Sequence, residues 1–357
     1  MSEFSPLRFM REISDVCSNS GYEPQAQKIV YDYIKHKADD IITDSINNLC
    51  AVINGKNRDE AGILLAAHID EIGFTVKYID DDGLIYLTNG YGADPNKIIS
   101  EHVRVYNSSG VARGIIGNKY RYRSGNETKG QDTEIDSIWV DIGASSREEA
   151  QKFVCVGDPV VVDKGVVPLM NDRIASRSLD DKIGAMAMIK AILDIDPARL
   201  DIPVYFLFTA QEESGFRGIK TFMSRGIKLK AGISVDVGDS MDIPGCIKTK
   251  SGDVKLGKGP IITRGPNTNP RLFGIIEKSA READIPYQLR AYAKPSPVDA
   301  NVIQVSGDIA AAQIDIPLRY MHHQSEVGSI IDLDNTARLI TSLLYNLKKE
   351  DSFLLMV

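Results

Sequence analysis

Four mainly apolar runs in this chain end abruptly in histidine or carboxylate, and that pattern constrains the fold more than any other feature. They are Gly62–Ala67, stopping at His68-Ile69-Asp70-Glu71; Pro203–Ala210, stopping at Gln211-Glu212-Glu213; Gly232–Val235, stopping at Asp236; and Ile309–Ile316, leading to His322-His323. Short apolar runs without polar alternation read as strands buried on both faces, the kind found in parallel sheets. In open α/β sheets, ligands bind beyond the carboxyl ends of such strands. Adjacent residues at a strand end point to opposite sides, so Glu212 and Glu213 are expected to take different jobs.

The segments between these runs carry helical periodicity. Leu7, Met10, Ile13 and Cys17 form one apolar stripe, and Ala26, Ile29, Val30, Tyr33 and Ile34 a second after Pro24. Further helices are expected at Asp180–Ile195, Leu272–Ala283, Asp299–Val305 and Asp332–Lys348. Short strands are expected at Ile41–Thr43 and Leu49–Ile53, the second closed by the hairpin signal Asn54-Gly55. Between Ile72 and Val167 the character changes to short alternating runs, punctuated by turn residues every ten or so positions, the pattern of a small all-β barrel or sandwich. Tyr120–Asp136 reads as a polar loop within it, and residues 238–270 as a long Gly/Pro/Lys-rich loop. The expected fold is α/β: a mixed, largely parallel sheet flanked by helices (residues 1–71 and 168–357), with an all-β barrel inserted at 72–167.

Composition narrows the function. The 357 residues carry a net charge of -7, and no basic cluster is long enough to follow a phosphate backbone, so nucleic acid is not an expected partner. No apolar run approaches the roughly 20 residues needed to span a bilayer. The N-terminus lacks a basic and then apolar leader pattern. The four cysteines are scattered, without a Cys-x-x-Cys pair, as in a reducing compartment. A cytoplasmic protein without a membrane partner is the expectation.

Taken singly, each strand-end residue has an ordinary structural use: a packed histidine, a helix-opening aspartate, a turn acid. Gathered at one sheet edge, His68, Asp70, the pair Asp180-Asp181, Glu212, Glu213, Asp236 and a histidine of the pair His322-His323 become a donor set of imidazoles and carboxylates. Such a set suits zinc, cobalt or manganese rather than calcium. It exceeds the needs of one four-coordinate ion, which points to two ions sharing a carboxylate. Asp70 follows His68 on the same strand face, and ligand histidines commonly donate their second ring nitrogen to a carboxylate.

The motifs His68-x-Asp70-Glu71-Ile72-Gly73-Phe74, Leu179-Asp180-Asp181-Lys182-Ile183-Gly184, Gln211-Glu212-Glu213-x-Gly215-x-Arg217-Gly218, Val235-Asp236-Val237 and Arg319-Tyr320-x-His322 follow in this order. In that order and over essentially the whole chain, the sequence resembles the M42 family of dinuclear metallo-aminopeptidases. These include glutamyl, leucyl, lysyl and deblocking enzymes that build tetrahedral particles, and some members carry an endoglucanase label. The resemblance implies two divalent metal ions per subunit (zinc or cobalt, or manganese). His68 and Asp236 would bind one, Glu213 and His322 the other, and Asp180 both, with a cis peptide to Asp181. Asp70 would orient His68, and Glu212 would be the general base acting on a metal-activated water. The barrel would be the dimerisation domain, dimers would assemble into a homo-oligomeric dodecamer, and the substrates would be peptides shortened from their N-termini.

Three departures touch the pocket. His323-Gln324-Ser325 replaces the usual Ser-Pro turn, Ser214 and Phe216 replace Val and Leu, and Gly238 stands where a Thr is usual. Lys248, Lys250, Lys255, Lys258 and Arg264 crowd the segment after Asp236 and raise the hypothesis of a preference for acidic N-terminal residues. Competing readings are a metal-dependent deacylase of N-acyl amino acids, a glycosidase, which needs two facing carboxylates and no metal pair, and a non-catalytic assembly protein.

Overall fold

The structure, a computed structural model, describes residues 4–90, 93–108, 110–119 and 134–356. Its first strands are β1 (Asp40–Thr43), β2 (Leu49–Ile53) and β3 (Gly62–His68). A closed barrel follows, made of β4 (Phe74–Ile79), β5 (Ile85–Asn89), β6 (His102–Asn107), β7 (Gly110–Asn118), β8 (Ile138–Asp141) and β9 (Pro159–Val162). The chain then returns through the hairpin β10 (Val167–Leu169) and β11 (Arg173–Ser176). It completes the main sheet with β12 (Val204–Thr209), β13 (Leu229–Asp239), β14 (Ile261–Arg264), β15 (Gln288–Ala291) and β16 (Ala310–Leu318), and β17 (Glu326–Ser329) pairs with β11.

The main sheet has eight strands in the order β1-β2-β12-β3-β13-β16-β14-β15 and runs parallel through its centre, β12-β3-β13-β16. Every residue of β3 is buried because helices cover both faces. Alternate residues Ile63, Leu65 and Ala67 pack toward the helices Leu179–Asp194, Pro270–Glu282 and Ile330–Asn346. Leu64 and Ala66 face the helices Arg217–Met223 and Asp299–Val305. The barrel has its own core, with Phe74, Val76, Ile85, Leu87, Val103, Val105 and Val160 turned inward.

Three expectations are corrected. The Asn54-Gly55 hairpin does not form, because β12 inserts between β2 and β3 and pairs with both. The hairpin lies one loop earlier, where β1 and β2 pair antiparallel across residues 44–48. The segment 238–270 is not one long loop: it contains the helix Lys248–Ser251 and β14, a sheet strand paired with β15 and β16. The helical pattern of Ser146–Phe153 within the barrel region, which predicts a helix over that whole stretch, yields a helix only at Arg147–Ala150. The polar stretch 120–133 lies outside the described residues.

Candidate metal centre

The central strands carry the site by register. β3 and β12 end level, Thr209 opposite His68, so the turn after β12 lies beside that histidine. β13 pairs Ser234 with Ala66, which sets Asp236 two residues on, alongside His68 two residues on. Asp236 is not a strand end: β13 continues to Asp239. Asp180 arrives from the opposite direction, at the start of the helix Leu179–Asp194. Here Asp180 and Asp181 have non-helical backbone angles and are joined by a cis peptide bond.

These placements make two groups that share Asp180. His68, Asp180 and Asp236 offer ligand atoms all within 4.8 Å of one another, and so do Asp180, Glu213 and His322. His68 Nε2 lies 3.0 Å from Asp180 Oδ1, and His322 Nε2 lies 3.2 Å from Asp180 Oδ2 and 3.4 Å from Glu213 Oε1. Each carboxylate oxygen of Asp180 therefore faces a different imidazole. Glu212 does not point away from Glu213 as strand alternation would have it. β12 has already ended, Gln211 takes a positive φ of 55°, and both carboxylates line one cleft of about 530 Å³ with the two groups.

Asp70 is fully buried behind this turn. Its carboxylate accepts the backbone N–H groups of Glu212 (2.9 Å) and Glu213 (3.2 Å) and the Ser20 hydroxyl (2.6 Å). His68 Nδ1 is 3.1 Å from the Asp70 backbone carbonyl and 3.5 Å from its carboxylate. Asp70 thus anchors the Glu212-Glu213 turn at least as directly as it orients His68.

The electrostatics of the cluster call for positive charge. Burial pushes Asp236 and Glu212 well above the usual carboxylate range, and neighbouring acids add to it. Within the two ligand groups, the imidazoles are the members that can carry positive charge. Hydrogen bonds to Asp180 and Glu213 lift His322 to about 10. Burial opposes protonation of His68, but its bonds to Asp180 and Asp70 outweigh burial and lift it well above its ordinary value. Burial likewise opposes ionisation of Asp180, but its two histidine partners hold it below the ordinary range. Several buried carboxylates converging on two imidazoles match the donor set of a divalent transition-metal pair.

Sequence reasoning gave no supporting role to the residues that hold this cluster in place, although Glu71, Asp181 and Lys182 stand in its motifs. Glu326, on β17 and 2% exposed, accepts the N–H of Asp180 (3.0 Å) and of His322 (2.8 Å), tying one residue of each group together. Asp181 accepts the N–H of His68 (3.2 Å) and of Gly184 (3.1 Å). Glu71 is buried with Arg177 and Lys182, its Oε2 3.2 Å from Arg177 Nε and its Oε1 3.2 Å from Lys182 Nζ. Charged residues in such local contexts look like surface residues in sequence; only β11–β17 pairing and helix packing reveal their burial. The five basic residues singled out after Asp236 do not line the cleft. Lys248 and Lys255 pair with Asp253, and the Arg264 guanidinium sits over the Phe273 ring at 5.0 Å.

Comparison with known proteins agrees with this architecture. Residues 47–339 match the family model described as M42 glutamyl aminopeptidase. The chain is 34% identical to the lysyl aminopeptidase of Pyrococcus furiosus over 348 residues, covering 96% of this chain and 97% of that one. An aminopeptidase of the archaeon Desulfurococcus kamchatkensis superposes with a TM-score of 0.89 at 30% identity, covering 96% of this chain and 95% of that one. The TET1 peptidase of Pyrococcus horikoshii, which can assemble into a tetrahedron or a large octahedral shell, superposes with a TM-score of 0.84 at 28% identity, covering 96% and 100%.

Proposed function

The chain belongs to the M42 peptidase family, and on that premise we propose that it is a divalent-metal-dependent aminopeptidase with Glu212 as its general base. That it is a peptidase follows from its relatives and structural neighbours, which are aminopeptidases. The observation that carries the finer reading is the pair of ligand groups sharing Asp180 and opening on the same cleft as Glu212. His68 and Asp236 would hold one ion, Glu213 and His322 a second, and Asp180 both. Bound there, the pair supplies Lewis acidity toward a peptide carbonyl and acidifies water.

The remaining work belongs to the protein. Glu212, 8% exposed at the cleft wall, takes a proton from the attacking water and returns it to the leaving amine as the C–N bond breaks. The Asp70 carboxylate fixes the turn that aims Glu212 and Glu213. A free α-amine has carboxylates to meet in the cleft, which favours removal of the first residue over internal cleavage. Homo-oligomer formation through the barrel, as the family resemblance implies, would limit substrates to peptides.

The test is hydrolysis of free and N-acetylated di- and tripeptides, with EDTA and after re-addition of Co²⁺, Zn²⁺ or Mn²⁺. Metal-restored release of N-terminal residues from the free peptides is expected. Glu212→Gln should lose turnover while retaining its metal. Cleavage confined to acetylated substrates, or an unchanged Glu212→Gln rate, would overturn the reading.

A further inference from the structure

Resting on the aminopeptidase reading, we infer that Glu23 is a positioning residue that aims the general base Glu212 by holding the backbone of Gln211 from behind the site. Glu23 stands just before the helix Pro24–Ile34, at a place where Ser, Thr, Asp and Asn usually cap, yet its side chain does not cap that helix. It is 0% exposed and forms no ion pair among the described residues. Its carboxyl accepts instead the Gln211 N–H (3.2 Å) and the Gly21 N–H (2.7 Å) at Oε1, and the Asn47 side-chain amide (3.2 Å) at Oε2. A carboxyl buried without a cation is costly, and an apolar side chain would suit a merely structural place better.

The bond falls on the residue that sets the direction of the turn. Ala210, Gln211, Glu212 and Glu213 donate successive N–H groups to buried side-chain oxygens: Asn48 (3.0 Å), Glu23 (3.2 Å) and the two oxygens of Asp70 (2.9 and 3.2 Å). Of these donors only Gln211 has a positive φ, 55°, a conformation that a residue other than glycine keeps where its surroundings impose it. With Gln211 relaxed to extended backbone, Glu212 and Glu213 would continue the alternation of β12 and fall on opposite sides. The Glu23 bond thus acts at the step that brings both carboxylates into one cleft. A bound ion would itself hold Glu213, whereas Glu212, which binds none, has only the turn to aim it. Asp70 also touches the ligand His68, so its removal would disturb metal binding and positioning together. None of the hydrogen bonds of Glu23 reaches a metal-ligating residue. Ser20, from the same loop, donates to Asp70 (2.6 Å), so one short segment braces both supports of the turn.

The experiment measures kcat, KM and metal content of the metal-loaded wild type, Glu23→Ala, Glu23→Asp and Glu23→Gln. The substrate is whichever free-amine aminoacyl-p-nitroanilide the wild type cleaves fastest, and metal is counted by plasma mass spectrometry. Misplacing a reacting group by about 1 Å costs on the order of 100-fold, and loss of an outer support about 10- to 100-fold. Glu23→Ala should therefore lose about 10- to 100-fold in kcat, with KM within about threefold and metal content unchanged. Glu23→Asp keeps a carboxylate and a good helix cap but draws it back from Gln211; it should fold even where Glu23→Ala does not, and lose kcat likewise. Glu23→Gln keeps an oxygen for the Gln211 N–H and should hold kcat within about threefold of the wild type. A kcat within about threefold of the wild type in Glu23→Ala or Glu23→Asp would overturn the inference while leaving an aminopeptidase. So would a loss carried by KM or by metal content, or a Glu23→Gln as slow as Glu23→Asp. A wild type that cleaves no free-amine substrate would remove the aminopeptidase reading and this inference with it.

Discussion

Replacing Glu71 by Gln should cost this protein about 3 kcal/mol at pH 7, and most of that cost should vanish in acid. Glu71 is 3% exposed and bridges Arg177 (4%) and Lys182 (0%) at the base of the site. Ser18 and Ser178 hydroxyls each donate to its carboxylate at 2.7 Å. Burial pushes this carboxyl up, but the two cations outweigh burial and hold it at about 2, against 4.5 for a free glutamate. A shift of that size corresponds to about 3 kcal/mol favouring the folded state. Breaking a buried ion pair from one side costs a similar ~3–5 kcal/mol, because the partner charges are left uncompensated. The sign follows from linkage: a depressed carboxylate stabilises above its unfolded pKa, and that contribution is lost as pH falls through the folded value. The gap between wild type and Glu71→Gln should therefore shrink to about 1 kcal/mol at pH 3. Equilibrium urea unfolding by circular dichroism, at one protein concentration and at both pH values, reads the gap directly. A gap below about 1 kcal/mol at pH 7, or one that persists unchanged at pH 3, would refute the argument.

Three further outcomes are expected. Glu326→Ala removes the common acceptor of the Asp180 and His322 N–H groups; metal affinity in a chelator competition should fall about 10- to 100-fold, and unchanged affinity would dismiss the clamp. Gly259 has φ +88°, and a Cβ there would sit 1.8 Å from the Pro286 carbonyl oxygen. Gly259→Ala should therefore lower stability by about 2 kcal/mol or more, and an unaltered melting temperature would contradict that. Phe206, wholly buried in β12, should cost about 3–5 kcal/mol when cut to Ala; a loss under 1 kcal/mol in the same urea assay would show that the core closes over the cavity.

The strands that carry the site were legible because burial on both faces leaves a mark that one sequence shows: β3 and β12 are apolar throughout and stop at polar residues. The failures have physical causes. Asn54-Gly55 obeys a local turn rule, but the parallel pairing of β12 with β3 and its antiparallel pairing with β2 displace that hairpin. Strand alternation separates Glu212 from Glu213 only if the strand reaches them, and it ends at Thr209. Glu326, Glu71 and Lys182 are charged residues whose burial arises from contacts between segments more than a hundred positions apart, which no local pattern records. Lys248 and its basic neighbours lie outside the cleft, and the basic residue that the sheet order β16-β14-β15 brings to its wall, Arg290 on the edge strand β15, carries no local mark in the sequence.

The central claim is that Asp180 joins two metal sites, and the most direct measurement is anomalous diffraction from crystals loaded with Zn²⁺ or Co²⁺. Two anomalous peaks are expected, one among His68, Asp180 and Asp236 and one among Asp180, Glu213 and His322. Each should lie about 2.0–2.2 Å from an Asp180 oxygen. A single peak, or two peaks of which only one contacts Asp180, would contradict the account.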